Sequence, residues 1–98
     1  MSQTANEPKV QAKFWLGQLF LTKAATTELV RDDVLRSIAS HSVGDWGNLC
    51  ADDKEMNENA LKNGGRILSA YRDSKGVKFW IITEADRNST TVLLPEDY

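Results

Sequence analysis

Ninety-eight residues with 41% apolar and 27% charged side chains have the composition of one ordinary globular domain, long enough to bury roughly two-thirds of its unfolded surface without metals or disulfides. A formal net charge of −2, from 12 basic and 14 acidic residues, lacks the basic excess with which a nucleic-acid binder neutralises phosphate, so no nucleic-acid partner is expected. No apolar run approaches the ~20 residues of a membrane span, and residues 1–9 carry no apolar signal region, so the expected setting is the cytoplasm, away from membranes.

Cys50 is the only cysteine and His41 the only histidine. An intramolecular disulfide is therefore excluded, a reducing compartment is expected, and Cys/His zinc sites lack ligands. No metal and no cofactor is expected. A Cys50 nucleophile served by His41 competes with the plainer reading of a free cysteine as a small buried hydrophobe, and the plainer reading is preferred.

In chain order, residues 1–11 read as a flexible polar tail and 12–98 as a single domain. Lys13 to Thr22 is rich in strand formers, with Gly17 marking a bulge or a close backbone approach. Ala24 to Val30 suits a short helix capped by Thr22 or Thr26. Asp32 or Asp33 caps a further segment in which Val34, Leu35 and Ile38 share a helical face; whether these are one helix or two stays open. Gly44 and Gly47 interrupt the chain, and Asp52 or Asp53 caps a third helix reaching about Lys62, with Met56, Ala60 and Leu61 as its apolar side.

The last third reads as β structure. Arg66–Arg72 and Val77–Glu84 flank the loop Asp73-Ser74-Lys75-Gly76, whose glycine suits a left-handed turn position. Ala85 to Ser89 turns the chain again, Thr90 to Leu94 is the final strand, and Pro95 ends it. The expected fold is α+β, β-α-α-(α)-β-β-β. A four-stranded, mainly antiparallel sheet has its first strand beside the C-terminal meander and the helices packed on one face. Val34, Leu35, Ile38, Leu61, Ile67, Phe79, Ile81 and Val92 are the expected core.

Phe79 and Ile81 point to one side of their strand, Trp80 and Ile82 to the other. Apolar residues on both faces mark a central strand whose second face needs a cover, from the N-terminal segment or a partner. A protein partner or a homodimer on the sheet face around Trp15 and Trp80 is the expected use of that surface.

Two segments carry candidate functional groups. In His41-Ser42-Val43-Gly44-Asp45-Trp46-Gly47, His41 and Asp45 form a nominal acid–base pair beside a stacking Trp46. The competing reading has His41 at a helix C-terminus, where a cation or donor is favoured, Asp45 accepting loop amides, and Trp46 plugging the core. In Thr83-Glu84-Ala85-Asp86-Arg87, Glu84 and Asp86 could face a cation; alternatively Asp86 and Arg87 are solvated or pair with each other. The structural readings are preferred in both segments. Arg66, Tyr71 and Arg72 could serve phosphate chemistry, but the two arginines on one strand stand ~20 Å apart at ~3.3 Å per residue.

The phrases Gly44-Asp45-Trp46-Gly47 after His41, Gly65-Arg66-Ile67-Leu68-Ser69-Ala70-Tyr71, and Trp80-Ile81-Ile82-Thr83-Glu84-Ala85-Asp86-Arg87 resemble a family of small uncharacterised bacterial proteins of chromosomes, plasmids, phages and integrative elements. The likeness runs from His41 to Tyr98 and is looser before it. Members sometimes carry the labels plasmid-related protein or type I restriction subunit; a methyltransferase subunit needs a much larger cofactor-binding domain than this chain offers. The resemblance implies a mobile-element setting and supplies no catalytic residues. Two functions follow: a protein-binding accessory domain, or a small RelE-like endoribonuclease suggested by element order alone. The binding reading stands ahead of catalysis.

Overall fold

The computed structural model describes residues 11–98; all but the last residue of the expected tail lies outside that range. The described chain runs β1 (Gln18–Leu21), α1 (Lys23–Glu28), α2 (Arg31–Ser42), α3 (Ala51–Asn63), β2 (Ile67–Arg72), β3 (Lys78–Thr83) and β4 (Ser89–Leu93), closing on a 3-10 turn at Pro95–Asp97. The strands form one sheet in the order β1-β4-β3-β2. The β2–β3 and β3–β4 pairings are antiparallel, while β1 lies parallel to β4, with Leu19 beside Thr90. The fold is therefore α+β with a mixed, mainly antiparallel sheet.

Strand one is shorter than the β-rich stretch from Lys13 suggests. Gly17 adopts φ +66°, and a Cβ there would stand 2.2 Å from the carbonyl carbon of Asn88. The chain turns where only glycine fits. Before that turn Phe14 leaves the sheet and Leu16 packs on the core.

Two helices, not one, follow. The Thr22 side chain accepts the Ala25 amide and starts α1. For α2 the expected Asp32 or Asp33 cap is corrected: the N-cap is Val30, and both aspartates lie in the first turn, where carboxylates favour the helix dipole. Asp73, 43 residues away in the β2–β3 hairpin, accepts the Val30 amide at 3.0 Å, and Asp33 in return accepts the Ser74 amide at 2.7 Å. A tertiary contact does the work of a local capping box. In the same hairpin, Gly76 takes φ +87°.

Val34, Ile38, Phe79, Ile81 and Val92 meet in one core beneath α1 and α2. Ile67, Trp46 and Ala60 form a second cluster, with Leu61 half-buried against it. Leu35 is the exception among the expected core residues: it is 52% exposed, because α2 lays Val34 and Ile38 on the sheet and turns Leu35 to its flank. The apolar side expected for α3 is also corrected. Met56 faces solvent, and Asn57 and Ala60 are the buried positions. Cys50, expected inside, is exposed at the N-cap of α3.

On the second face of the sheet, Ile82, Leu93 and Ala70 are buried. The C-terminal turn reaches this side, setting Tyr98 edge-on to Trp80 with ring centroids 5.6 Å apart. Asp97 anchors the turn by accepting the Thr22 hydroxyl at 2.7 Å and the Leu94 amide.

Candidate functional site

His41 sits in the last turn of α2 and is wholly buried. Its Nδ1 lies 2.5 Å from Ser69 Oγ and its Nε2 2.8 Å from Thr83 Oγ1. Thr83 Oγ1 in turn meets Thr90 Oγ1 at 2.7 Å, and Thr90 donates to the Leu16 carbonyl at 2.6 Å. That carbonyl can only accept, so the protons from Thr90 back to His41 Nε2 are assigned by elimination. Thr90 gives its proton to Leu16, Thr83 donates to Thr90, and His41 donates from Nε2 to Thr83. A neutral imidazole leaves Nδ1 to accept from the Ser69 hydroxyl. Burial pushes the His41 pKa down to about 4, which keeps it neutral near pH 7. Of the cation or donor expected at this helix C-terminus, His41 is a neutral donor held in the core. Ser69 and His41 resemble a nucleophile and its base, but both are sealed from solvent and no substrate reaches them.

Phe14 closes this network from above. Its ring is edge-on to His41 at 5.2 Å and stacked on Trp46 at 6.2 Å, and the Arg87 guanidinium covers it at 5.7 Å. Trp46 is buried, with its indole N–H donating to Glu58 at 2.9 Å. Asp45 lies at the surface, accepts the Gly47 amide through Oδ1, and offers its carbonyl to the Tyr71 hydroxyl at 2.5 Å. His41 and Asp45 share no hydrogen bond, so the nominal acid–base pair is not assembled. Burial pushes Tyr71 up to about 12, leaving it a fixed donor.

The second segment also turns inward. Arg87 adopts φ +61° and spreads its guanidinium over the Gly65, Glu84, Ala85 and Ala60 carbonyls, at 2.6 to 3.2 Å. It ties the end of α3, the entry to β2 and the β3–β4 turn together. Neither a solvated Arg87 nor an Asp86–Arg87 pair describes it. Asp86 accepts the Asn88 amide within the turn, and Glu84 meets Arg66 at 3.3 Å. The two carboxylates have separate partners, and among the described residues no three His, Cys, Asp or Glu side chains converge as a metal site. Arg66 also donates to the Tyr98 hydroxyl at 2.7 Å, while Arg72 donates to the Gly76 carbonyl; the three residues nominated for phosphate chemistry each serve a different local contact.

Sequence reasoning missed the group that closes the β2 edge. Asn57 uses its side-chain amide as a strand would: Oδ1 accepts the Leu68 N–H at 3.1 Å and Nδ2 donates to the Leu68 carbonyl at 2.7 Å. Two residues further along, Ala70 donates to the Trp46 carbonyl and accepts the Asn48 amide. Gly47 makes the bridge possible, since a Cβ there would stand 2.0 Å from the Ala70 carbonyl oxygen. The signal available was an asparagine at a helical core position, where an apolar residue is the norm.

Among the described residues, two accessible surfaces bear on binding. A groove of about 650 Å³ between α3 and β2 is lined by Leu49, Asp53, Met56, Asn59, Asn63 and Arg66, among others. On the opposite side of the sheet, Leu19, Phe20 and Leu21 of β1 are 48%, 50% and 42% exposed, and a hollow beside Leu19 and Leu21 continues to Leu35. Trp15, just upstream, is 82% exposed, whereas Trp80 is half-buried against Tyr98.

No helix among the described residues is long and apolar enough to cross a membrane. No protein-family model, no curated protein and no solved structure matches this chain.

Proposed function

We propose that the chain is a protein-binding accessory domain of the bacterial cytoplasm, working through the apolar surface of its first strand. One observation carries the reading: Trp15, Leu19, Phe20, Leu21 and Leu35 stand exposed within a short stretch of chain, while the polar groups suited to chemistry are spent on holding the fold. Clustered exposed apolar side chains are characteristic of a contact site. The resemblance of His41–Tyr98 to proteins of plasmids, phages and integrative elements adds a mobile-element setting.

The endoribonuclease alternative is the weaker reading. Cleavage through a 2′-hydroxyl needs an accessible base, an acid and clustered cations, and Arg66, Tyr71 and Arg72 each hold a separate structural partner.

The test places a photo-reactive amino acid at Trp15 or Phe20, with exposed Lys54 of α3 as control. Irradiated cells should give discrete protein adducts from the first two positions and only background from Lys54. RNA adducts, or growth arrest with codon-phased message cuts abolished by Arg66→Ala, would overturn the reading.

A further inference from the structure

The β1 edge has a geometry that selects its occupant. Gln18 donates to the Asn88 carbonyl and Thr22 to the Val92 carbonyl. By strand alternation, Gln18, Phe20 and Thr22 turn their backbone groups toward β4, and Leu19 and Leu21 turn theirs outward. Both outward residues are apolar, as is Phe20 on the other face. An edge strand whose outward backbone groups meet no partner among the described residues, and whose side chains are apolar, is a template for another strand.

The chain preceding the described residues is a poor occupant. Residues 1–10 read Met-Ser-Gln-Thr-Ala-Asn-Glu-Pro-Lys-Val. They offer no apolar cluster to cover Leu19, Phe20 and Leu21, and Pro8 lacks the N–H a strand needs. The strand itself, by contrast, is self-complementary. Gln18-Leu19-Phe20-Leu21-Thr22 reads polar, Leu, Phe, Leu, polar in both directions and holds no charge, so two copies meet without like charges opposed.

We propose that two copies of this chain pair antiparallel along β1, with the two Phe20 residues facing each other on the two-fold axis. This deepens the protein-binding reading and rests on it. Leu19 then lies opposite the partner's Leu21 and Leu21 opposite the partner's Leu19. These are the residues whose backbone groups point outward, so each such pair exchanges two hydrogen bonds. Phe20 forms the non-hydrogen-bonded pair at the centre, where Cα atoms approach to about 4.5 Å. Leu19 and Leu21 of both copies lie on the helix-bearing face, next to the hollow that runs to Leu35. The two four-stranded sheets become one of eight strands with β2 at either end. That outer edge is the one Asn57 and the Trp46–Asn48 segment already close, so assembly stops at two, as an isologous interface requires.

The experiment uses the full chain. By sedimentation, the mass should rise with concentration from 11.0 kDa toward twice that value, and amide exchange at Leu19 and Leu21 should slow in step. Phe20→Lys sets like charges opposite each other and should weaken pairing by about tenfold or more. In a Cys50→Ser background, Phe20→Cys should cross-link on air oxidation, because the facing Cα atoms fall within the ~4.4–6.8 Å of a disulfide. Leu19→Cys should link far less, its own counterpart lying about 7–8 Å away on the diagonal. A monomer at every concentration overturns the proposal, as does a dimer indifferent to Phe20→Lys. Leu19 and Leu21 amides already protected in the monomer overturn it too, by showing that the chain's own N-terminus fills the edge. If Phe20→Lys fails to fold, the cysteine pair and wild-type exchange still decide. Cellular adducts to a different protein, with the chain monomeric, remove the dimer and leave the binding reading; no protein adducts at all remove both.

Discussion

The two edges of the sheet are built by opposite means. Along β2 every outward-facing backbone group of Leu68 and Ala70 is taken, by the Asn57 amide and by the Trp46 and Asn48 backbone. Along β1 the corresponding groups belong to Leu19 and Leu21, flanked by side chains about half exposed. The closed edge is covered by a loop and a helix that also carry Trp46 and the end of the core; among the described residues the open edge has α1 and the flank of α2 beside it. An edge left open and apolar is normally an aggregation hazard, so one closed edge beside one open edge restricts where the chain can add a strand. Closure also explains why the most distinctive sequence motif is not the accessible surface: its last residues, Trp46 and Gly47, run with Asn48 along β2 and seal it.

The largest way to break this contrast is Trp46→Ala. Truncating a buried tryptophan typically costs ~3–5 kcal/mol, and here it also undermines the loop paired to Ala70, so urea denaturation should show a severely destabilised domain. Trp46→Phe should recover most of that loss while giving up the Glu58 hydrogen bond.

Acid should act next. The imidazole of His41 titrates near 4 in the folded chain against an ordinary 6.5, so folding favours the neutral form. Its contribution is complete above pH 6.5 and is lost as pH falls from 6.5 through 4, by roughly 3 kcal/mol. His41→Gln keeps a donor and an acceptor without the titration, and should flatten that part of the stability–pH profile. An unchanged profile in the variant would mean that other groups set the acid limit.

Asn57→Ala tests closure directly. It leaves the Leu68 N–H and carbonyl without partners on a part-buried edge, at about 1–3 kcal/mol. The Leu68 amide should exchange faster, and the chain, now open at both edges, should form species larger than a dimer. Asn57→Ala with an unchanged Leu68 exchange rate would show that the edge is closed by some other means.

The smallest stability effect belongs to Phe20→Lys. The side chain is half exposed, so stability should change by no more than about 0.5 kcal/mol even as association is lost. A large loss of stability in the dilute monomer would place Phe20 in the core of the fold rather than at its open edge.

Much of the frame was legible from local patterns. The β2–β3 hairpin follows from Asp73-Ser74-Lys75-Gly76, and the central place of β3 from its two apolar faces. The close approach at Gly17 was marked by a glycine inside a strand-forming run. The helical faces were less legible. Leu35 and Met56 fit the period of a buried stripe but stand outside, because periodicity gives the spacing of a face and not its angle to the sheet. At Asn57 the pattern failed in the other direction, since a polar residue buried itself to serve a distant backbone.

Within the candidate site the division is similar. The importance of His41–Gly47 was visible in its composition, with one histidine, a tryptophan and two glycines in seven residues. Its orientation was not. Whether His41 is a cation at a helix end or a neutral plug depends on Ser69 and Thr83, which are 28 and 42 residues away. Arg87 could not be separated from a solvated turn charge without knowing that the carbonyls of Ala60, in the last turn of α3, and Gly65, just before β2, lie within its reach.

By itself, then, the sequence determined the order of elements, the turns and the apolar strands, because these depend on residues within a few positions of one another. Tertiary structure alone decided that β1 runs parallel to β4, that Asp73 caps α2 from the far hairpin, that burial holds His41 neutral, and that one sheet edge is closed while the other is open. Each of these turns on which distant backbone groups meet and how far water is excluded around them.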